Sequence, residues 1–337
     1  MFREELQIGA FDFEAGGHLD DVRIVFHHSG CRDGKVIWIC HALTANSNPE
    51  DWWPQLVGKG KLLDPDKYRI VCVNFLCSAY GSTGPASMNP ATGKPFLLDF
   101  PLTTIRDSVK AFEAVRKHLG IEHIDLLIGS SMGGFQAMEW AAQKPELFGH
   151  LIFSATSPAI SPWLAAHTET QRMAIEADSS FVGAKDLSGG AAGLRCARAQ
   201  ALLSYRCFRG YGIRQTEPDT DFLFASRAGS YQQHQGDKLV ARGFDAYSYY
   251  YLCKTLDSHN VGRGRGGVPE ALSRVSAPTT VITIDTDGIF PPEEASVWVP
   301  FLPDARHHII RSDFGHDGFL LETEQFTKVL KPILCKF

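Results

Sequence analysis

The segment Gly-Ser-Ser-Met-Gly, residues 129–133, dictates a tight turn between a strand and a helix. An apolar, strand-like run at residues 124–128 precedes it, and a helix-like run at residues 134–142 follows it. Glycines on either side of a serine permit a turn so sharp that the serine is held in a strained conformation with its hydroxyl exposed. The first turn of the helix adds unpaired N–H groups nearby. Ser131 is therefore the candidate nucleophile.

Apolar runs rich in β-branched residues recur along the chain and predict strands. Most of them lack alternation, as expected for strands that are covered on both faces. The predicted strands are residues 22–26, 36–40, 69–73, 124–128, 150–153 and 279–284. Between them lie helix-like segments such as residues 104–119, whose apolar residues fall on one face. This alternation predicts an α/β fold with a mostly parallel central sheet and helices on both faces.

The alternation of strands and helices breaks after about Ser157 and resumes near residue 279. The intervening chain is helix-like, irregular and rich in aromatic residues. An inserted helical cap over the sheet is the simplest interpretation. We therefore predict a core formed by residues 1–157 and 270–337, with a cap at residues 158–269.

Composition excludes several functional classes. The chain has 337 residues, 44% of them hydrophobic and 21% charged, which is typical of a globular protein. A net charge of −5 gives no basic surface for nucleic acid. Acidic residues stand near the N-terminus where a signal peptide needs an apolar core, and no run approaches the length of a membrane span. Eight scattered cysteines form no Cys-x-x-Cys pair, so we expect a reduced, cytoplasmic protein with no metal site and no membrane partner.

A serine nucleophile needs a base to take its proton and a carboxylate to orient that base. Asp285 and Asp287 both follow the predicted strand 279–284, at the strand end where such a site collects its residues. Asp285 is nearer the strand, where a carboxylate often satisfies local backbone donors. The residues alone leave both aspartates open.

The base is expected later in the chain. His307 and His308 fall at the start of a predicted final strand and are interpreted as structural. His316 lies beyond that strand, in a loop that begins with a Gly-His step. This position suits a base that must reach back to Ser131.

The oxyanion that forms during acyl transfer needs two N–H donors. The residue after the nucleophile, Met132, is one candidate, and the other is expected in a loop after an early strand. The predicted strand 36–40 runs directly into such a loop, in which the Leu43 backbone is the candidate. His41 precedes it and is predicted to hold the loop in shape.

With the candidate nucleophile, acid, base and oxyanion donors assigned, the chain resembles the homoserine O-acetyltransferase family, whose members have the α/β-hydrolase fold. The resemblance extends from about residue 36 to 325. It is carried by a series of short motifs: His-Ala-Leu-Thr at 41–44, Tyr-Gly-Ser-Thr-Gly-Pro at 80–85, Asn-Pro-Ala-Thr-Gly-Lys-Pro at 89–95, Phe-Pro-Leu-Thr-Thr-Ile-Arg-Asp at 100–107, Gln-Ala-Met-Glu-Trp at 136–140, Gln-Arg-Met-Ala-Ile at 171–175, Asp-Gly-Ile-Phe-Pro-Pro at 287–292 and Gly-His-Asp-Gly-Phe-Leu-Leu-Glu at 315–322.

The resemblance implies that Ser131, Asp287 and His316 form a catalytic triad, and it favours Asp287 over Asp285. It further implies a two-step reaction of methionine biosynthesis. An acyl group passes from acetyl-CoA to the serine and then to the hydroxyl of homoserine. Acetyl-CoA is a co-substrate, and no cofactor is expected. Relatives are often homodimers, which implies the same assembly here.

The resemblance also implies how the amino acid is held. Arg198 and Tyr205 match an arginine and a tyrosine that lie seven residues apart in the family, and Asp317 follows the histidine of the triad. A guanidinium can pair with an α-carboxylate through two parallel hydrogen bonds, and a carboxylate can receive an α-ammonium group.

Three departures from the family pattern keep alternatives open. Ser130 replaces a glycine before the nucleophile, a cap motif of the family carries the added residue Gly243 and ends in a changed residue, Tyr247, and Thr168 stands where asparagine is common. The last two lie in the cap and bear on donor and acceptor choice. Succinyl-CoA as donor, L-serine as acceptor and a serine esterase are therefore the alternatives, and a non-catalytic binding protein is the remaining one.

Overall fold

The computed structural model describes residues 1–336 and contains one eight-stranded sheet. Its strands are β1 (Phe2–Asp12), β2 (His18–His28), β3 (Val36–Cys40), β4 (Arg69–Val73), β5 (Leu126–Ser130), β6 (Leu151–Ser154), β7 (Thr279–Ile284) and β8 (Ala305–Ile310). Their order is β1-β2-β4-β3-β5-β6-β7-β8. The pairs β1–β2 and β2–β4 are antiparallel and all others are parallel. The predicted α/β class with a mostly parallel sheet is confirmed.

Helices cover both faces of the sheet. The α-helices are α1 (Pro49–Trp52), α2 (Ile105–His118), α3 (Met132–Gln143), α4 (Pro162–Glu176), α5 (Ala191–Tyr205), α6 (Phe208–Gln215), α7 (Arg227–Ala241), α8 (Ala246–Asp257), α9 (Val268–Ser273), α10 (Pro292–Trp298), α11 (Gly318–Leu321) and α12 (Thr323–Leu334). Short 3₁₀ helices span Leu97–Asp99, Pro145–Leu147, Val299–Phe301 and Gly315–Asp317, and a small hairpin joins Met88–Asn89 to Lys94–Pro95. No helix within residues 1–336 is long and apolar enough to cross a membrane.

Strand predictions succeed best where the strand is buried on both faces. The strands β3, β4 and β7 have the predicted bounds. The strand β5 begins and ends two residues later than predicted, and the Asp125 carboxylate just before it accepts the Val36 N–H at 2.8 Å. The strand β6 lies one residue later than predicted, and β2 extends beyond its predicted bounds at both ends. The strand β1 was not predicted, because this largely exposed edge strand is rich in charged residues and carries no continuous apolar run.

The helices α4 to α8 lie between β6 and β7, in the interval where a cap was predicted, and α9 begins at Val268 and extends beyond that interval to Ser273. The exact division into residues 1–157, 158–269 and 270–337 stays a prediction, and Phe337 lies outside the described residues. We use "cap" below for residues 158–269 and "core" for the other described residues.

The parallel strands end at one edge of the sheet, which is where an α/β fold collects functional residues. Leu43 follows β3, Ser131 follows β5, Asp287 follows β7 and His316 follows β8. The sheet therefore brings together four residues that are separated by as many as 273 positions, counting from 43 to 316.

Candidate active site

The turn between β5 and α3 holds Ser131 in a strained conformation. Its φ of 56° and ψ of −127° lie outside the regions that residues with a Cβ atom normally adopt. The Ser131 N–H donates to the Ser154 carbonyl at 3.0 Å, and the Ser131 carbonyl accepts from the Thr156 hydroxyl at 3.0 Å. The neighbouring strand β6 and the residues after it therefore fix the turn from both sides.

The glycines of this turn are required by close backbone contacts. A Cβ atom on Gly133 would lie 2.0 Å from the Cys40 carbonyl oxygen at the end of β3. A Cβ atom on Gly129 would lie 2.4 Å from the carbonyl oxygen of Gly133 itself. The strand-to-helix turn is thus packed directly against the strand that leads to Leu43.

Ser131, His316 and Asp287 form a continuous hydrogen-bonded chain. The Ser131 Oγ lies 2.9 Å from His316 Nε2, and His316 Nδ1 lies 2.8 Å from Asp287 Oδ2. The other oxygen, Asp287 Oδ1, accepts the N–H groups of Ile289 and Phe290 at 2.8 and 3.0 Å. A neutral imidazole satisfies both contacts when Nδ1 carries the proton, which leaves Nε2 to accept from the serine hydroxyl.

The competing residues make other contacts. Asp285 accepts the Ser312 N–H at 2.9 Å and so joins the two loops that follow β7 and β8. His307 lies within β8, where its Nε2 is 2.8 Å from the Thr283 hydroxyl of the adjacent strand. His308 lies in the same strand. The structure brings none of the three to Ser131.

His41 is buried beside the site and contacts the loop after β3. Its Nδ1 donates to the Ala42 carbonyl at 2.9 Å, and its ring stacks on Phe75 with centroids 4.3 Å apart. Burial lowers the pKa of His41 to about 4, so the ring is neutral at ordinary pH. These contacts are those expected of a residue that shapes the loop.

The two candidate oxyanion donors are the backbone N–H groups of Leu43 and Met132. Within residues 1–336, neither the Leu43 N–H nor the Met132 N–H has a hydrogen-bond acceptor. Met132 is the first residue of α3, so its N–H belongs to the open end of that helix. Leu43 follows β3 and lines the same cavity as Ser131.

That cavity has a volume of about 160 Å³ and is also lined by Arg198, Tyr205 and Asp317. The Arg198 guanidinium carbon lies 5.5 Å from the centre of the Tyr205 ring, and that ring centre lies 5.7 Å from the centre of the His316 ring. Burial raises the pKa of the Tyr205 hydroxyl, which stays protonated. Arg198 Nη1 is buried without a hydrogen-bond partner among residues 1–336, as expected of a group that awaits an anionic ligand.

Sequence reasoning missed three residues around this cavity. Arg206 forms an ion pair with Asp317 and is half-buried. Trp52 and Arg242 line the cavity itself. Arg206 is adjacent to Tyr205 and Arg242 precedes Gly243, so each has a neighbour that the sequence analysis singled out, whereas Trp52 has none.

Comparison with known proteins agrees with this architecture. A family model described as "alpha/beta hydrolase fold" matches residues 35–323. A homoserine O-acetyltransferase from Cyclobacterium marinum is 42% identical to this chain, over 96% of this chain and 92% of the relative.

Two solved structures superpose on nearly the whole chain. A homoserine O-acetyltransferase from Bacillus anthracis has a TM-score of 0.89 and 25% identity, and the match covers 99% of this chain and 97% of that one. Esterase E22 also has a TM-score of 0.89, with 22% identity and 99% of each chain covered, and this likeness shows the fold alone. The full-length relative and the conserved architecture together show that the chain belongs to the homoserine O-acetyltransferase family of the α/β-hydrolase fold.

Proposed function

We propose that this chain transfers an acetyl group from acetyl-CoA to the side-chain hydroxyl of L-homoserine through an acetyl-Ser131 intermediate. One observation carries the proposal. The hydrogen-bonded chain of Ser131, His316 and Asp287 opens into the same cavity as Arg198 and Asp317. A plain esterase needs the first three residues, but it has no use for a cation and an anion placed to hold an amino acid.

In the first half-reaction the Ser131 Oγ attacks the thioester carbonyl as His316 Nε2 takes the hydroxyl proton. Asp287 stabilises the imidazolium that forms, and its two backbone hydrogen bonds keep the carboxylate oriented. The oxyanion accepts from the N–H groups of Leu43 and Met132. When the tetrahedral intermediate collapses, the carbon–sulfur bond breaks and His316 returns the proton to the departing thiolate.

In the second half-reaction the homoserine hydroxyl attacks the acetyl-serine carbonyl. His316 Nε2 takes the proton from that hydroxyl, and the same two N–H groups receive the oxyanion. Collapse breaks the ester bond to Ser131, and His316 returns the proton to the Ser131 Oγ. The products are O-acetylhomoserine and the starting enzyme, so one base serves both steps.

The cavity offers complementary charges for the amino acid. The Arg198 guanidinium pairs with the α-carboxylate through Nη1, the atom that has no hydrogen-bond partner within residues 1–336. Asp317 receives the α-ammonium group. Its Oδ2 faces Arg206, which leaves Oδ1 to contact the substrate and fixes the plane of the carboxylate. The volume of about 160 Å³ favours a short acyl group beside an amino acid.

A matrix of donors and acceptors tests the proposal. The protein is mixed with acetyl-CoA or succinyl-CoA, in the presence of L-homoserine, L-serine or neither, and thiol release is recorded. We expect fast release with acetyl-CoA and homoserine only. Equal release without an acceptor would establish a hydrolase, and a faster rate with succinyl-CoA or serine would reassign the substrate.

We further propose that the protein is a homodimer that assembles through its cap. Large apolar side chains are exposed there on α6 and on the segment that follows it: Phe208, Ile213, Leu223 and Phe224. Burial of such a patch against a second copy removes apolar surface from water. Light scattering during size-exclusion chromatography should give twice the mass of one chain, and Phe224→Asp with Leu223→Asp should give monomers. A monomeric wild-type protein would contradict the proposal.

A further inference from the structure

The turn that carries the Leu43 N–H is held at its two ends by different parts of the molecule. A backbone hydrogen bond of 3.0 Å closes the turn over residues 42–45. At its start, the buried ring of His41 donates to the turn from within the core. At its far end, the Thr44 carbonyl accepts from the Tyr80 hydroxyl at 3.2 Å, at the rim of the cavity. The first contact is buried, whereas the second is reached from the cap.

Gly243 ends the helix α7, and this helix end places the Arg242 side chain at the rim of the cavity. Gly243 has a φ of 81° and donates to the Val240 carbonyl at 2.9 Å, while the Phe244 N–H lies 3.4 Å from the Leu239 carbonyl. This pair of hydrogen bonds across a left-handed residue is the Schellman ending of a helix. A glycine adopts the required φ without strain. The added glycine therefore determines where the side chains on either side of it point.

Arg242 and Phe244, the residues on either side of Gly243, both contact Tyr80. The Arg242 Nη2 donates to the Tyr80 hydroxyl at 3.0 Å and lies 3.4 Å from the Thr44 carbonyl oxygen. The Phe244 ring packs edge-on against the Tyr80 ring, with centroids 5.9 Å apart. We call Arg242, Tyr80 and the Thr44 carbonyl the rim network. A cationic donor polarises the tyrosine hydroxyl and so strengthens its hydrogen bond to the carbonyl.

We propose that the rim network fixes the orientation of the Leu43 N–H, so that Arg242 is a positioning residue for the oxyanion formed during acyl transfer. The inference rests on the proposed use of Leu43 as an oxyanion donor. The Thr44 carbonyl and the Ala45 N–H belong to one peptide group, and the Ala42 carbonyl and the Leu43 N–H belong to another. The hydrogen bond from the Ala45 N–H to the Ala42 carbonyl joins these two groups, so a rotation of the first is passed to the Leu43 N–H. An N–H donor contributes to catalysis only while it points at the position of the developing charge.

A second use for an exposed arginine at this rim is to bind the phosphate groups of the donor. The two uses differ in their dependence on coenzyme A. p-Nitrophenyl acetate acylates a serine nucleophile but carries no phosphate and no amino acid. A positioning effect must appear with this ester, whereas a phosphate contact must not.

The experiment measures acylation of the protein by p-nitrophenyl acetate in a stopped-flow instrument, together with steady-state kinetics on acetyl-CoA and homoserine. The variants are Arg242→Gln, Arg242→Lys and Tyr80→Phe, the last of which keeps the ring contact with Phe244. Arg195→Gln is the matched control, because this exposed cap arginine pairs only within the cap, with Asp237. Thermal melting shows that each variant is folded.

We expect Arg242→Gln and Tyr80→Phe to slow ester acylation about 10-fold, a fraction of the 10²–10³-fold loss that follows removal of an oxyanion donor. The KM values of these two variants for acetyl-CoA and homoserine should stay within about 2-fold of the wild-type values. Arg242→Lys should recover part of the lost acylation rate, and Arg195→Gln should match the wild type. Unchanged ester acylation in Arg242→Gln or Tyr80→Phe would overturn the inference, whether or not the KM for acetyl-CoA rises. A wild-type protein that is acylated but passes the group to water would instead contradict the proposed function, while the ester assay would still test the rim network.

Discussion

The core and the cap contribute to the site in different ways. The core supplies Ser131, Asp287 and His316 from loops at strand ends, where backbone hydrogen bonds and contacts with neighbouring strands fix each residue. The cap supplies Arg198 and Tyr205 from α5, and these side chains reach into the cavity from outside. In the proposed function the chemistry thus resides in the core, whereas recognition of the acceptor uses Arg198 and Tyr205 of the cap together with Asp317 of the core.

Two sets of ion pairs, one centred in the core and one within the cap, differ in how far they are buried. Glu139 of α3 is buried and bonded to Arg106 of the core at 3.0 Å and to Arg265, near the end of the cap, at 2.6 Å. The pair Arg195–Asp237, which joins α5 to α7 within the cap, is half exposed. Buried charges tolerate little change, whereas exposed pairs are screened by water. Loss of the exposed Arg195–Asp237 pair is therefore expected to cost less stability than loss of the Glu139 carboxylate.

The largest difference between the core and the cap is expected when one glycine of each is replaced by alanine. Gly133→Ala in the core places a Cβ atom 2.0 Å from the Cys40 carbonyl oxygen, so β3 or α3 must move. We expect no soluble folded protein, or a folded one without measurable transferase activity. Gly229→Ala in the cap helix α7 meets no atom within 4 Å and should leave activity unchanged, with stability equal or slightly higher. Expression, circular dichroism and thiol release compare the two, and a fully active Gly133→Ala protein would show that the close packing of the turn is dispensable.

Ion pairs provide the next comparison. Glu139→Gln leaves two arginines facing a neutral group in a buried position, which should lower the free energy of unfolding by about 3–5 kcal/mol. Asp237→Asn breaks an exposed pair in the cap and should cost at most about 1 kcal/mol. Urea denaturation followed by fluorescence measures both. Similar values for the two variants would mean that burial does not distinguish the Glu139 cluster from the exposed Arg195–Asp237 pair.

Acceptor recognition by the cap is tested with two arginines of one helix. Arg198→Lys keeps the charge but loses the two parallel hydrogen bonds, so the KM for homoserine should rise about 10- to 100-fold, as expected for loss of about 1.5–3 kcal/mol of charged hydrogen bonding. Arg195→Lys, on the exposed side of α5, should have wild-type kinetics. Steady-state thiol release with each substrate varied in turn separates the effects. A rise in the KM for acetyl-CoA alone would mean that Arg198 contacts the donor.

Buried histidines should give the smallest effect, a dependence of stability on pH. Burial lowers the pKa of His41 to about 4 and that of His259 to about 3. Both rings bind a proton more readily in the unfolded chain, so stability falls as the pH drops below about 6.5, by roughly 1 kcal/mol per histidine between pH 6.5 and 5.5. His259→Gln should reduce this slope in urea titrations, whereas the exposed His18→Gln should not reduce it. An unchanged slope in His259→Gln would mean that this ring is protonated in the folded protein.

Much of the core could be predicted because its signals are local. The buried strands are continuous apolar runs, and Gly-x-Ser-x-Gly between a strand and a helix predicts a strained turn whatever lies around it. The edge strand β1 escaped prediction because it carries many charged residues and lies largely exposed. The choice between Asp285 and Asp287 depended on resemblance, since the two differ only in which loop each contacts, and that is a property of the folded molecule.

In the cap, the sequence alone predicts little beyond helical character. Arg198 and Tyr205 were identified through resemblance to a family. No role was given to Arg206, which pairs with Asp317, or to Arg242, which lines the cavity. Their proximity to the cavity arises from helix packing and from the left-handed residue Gly243, which brings Arg242 to Tyr80. No periodicity or spacing encodes these contacts.

The fate of the acyl group on Ser131 tests the central claim most directly. The protein is mixed with acetyl-CoA, and its intact mass and the peptide that contains Ser131 are followed by mass spectrometry, with and without L-homoserine. We predict that one acetyl group accumulates on Ser131, persists in buffer and leaves on addition of homoserine, with one equivalent of O-acetylhomoserine formed. An acetyl group that never forms, or that leaves as fast in buffer as with homoserine, would contradict the account.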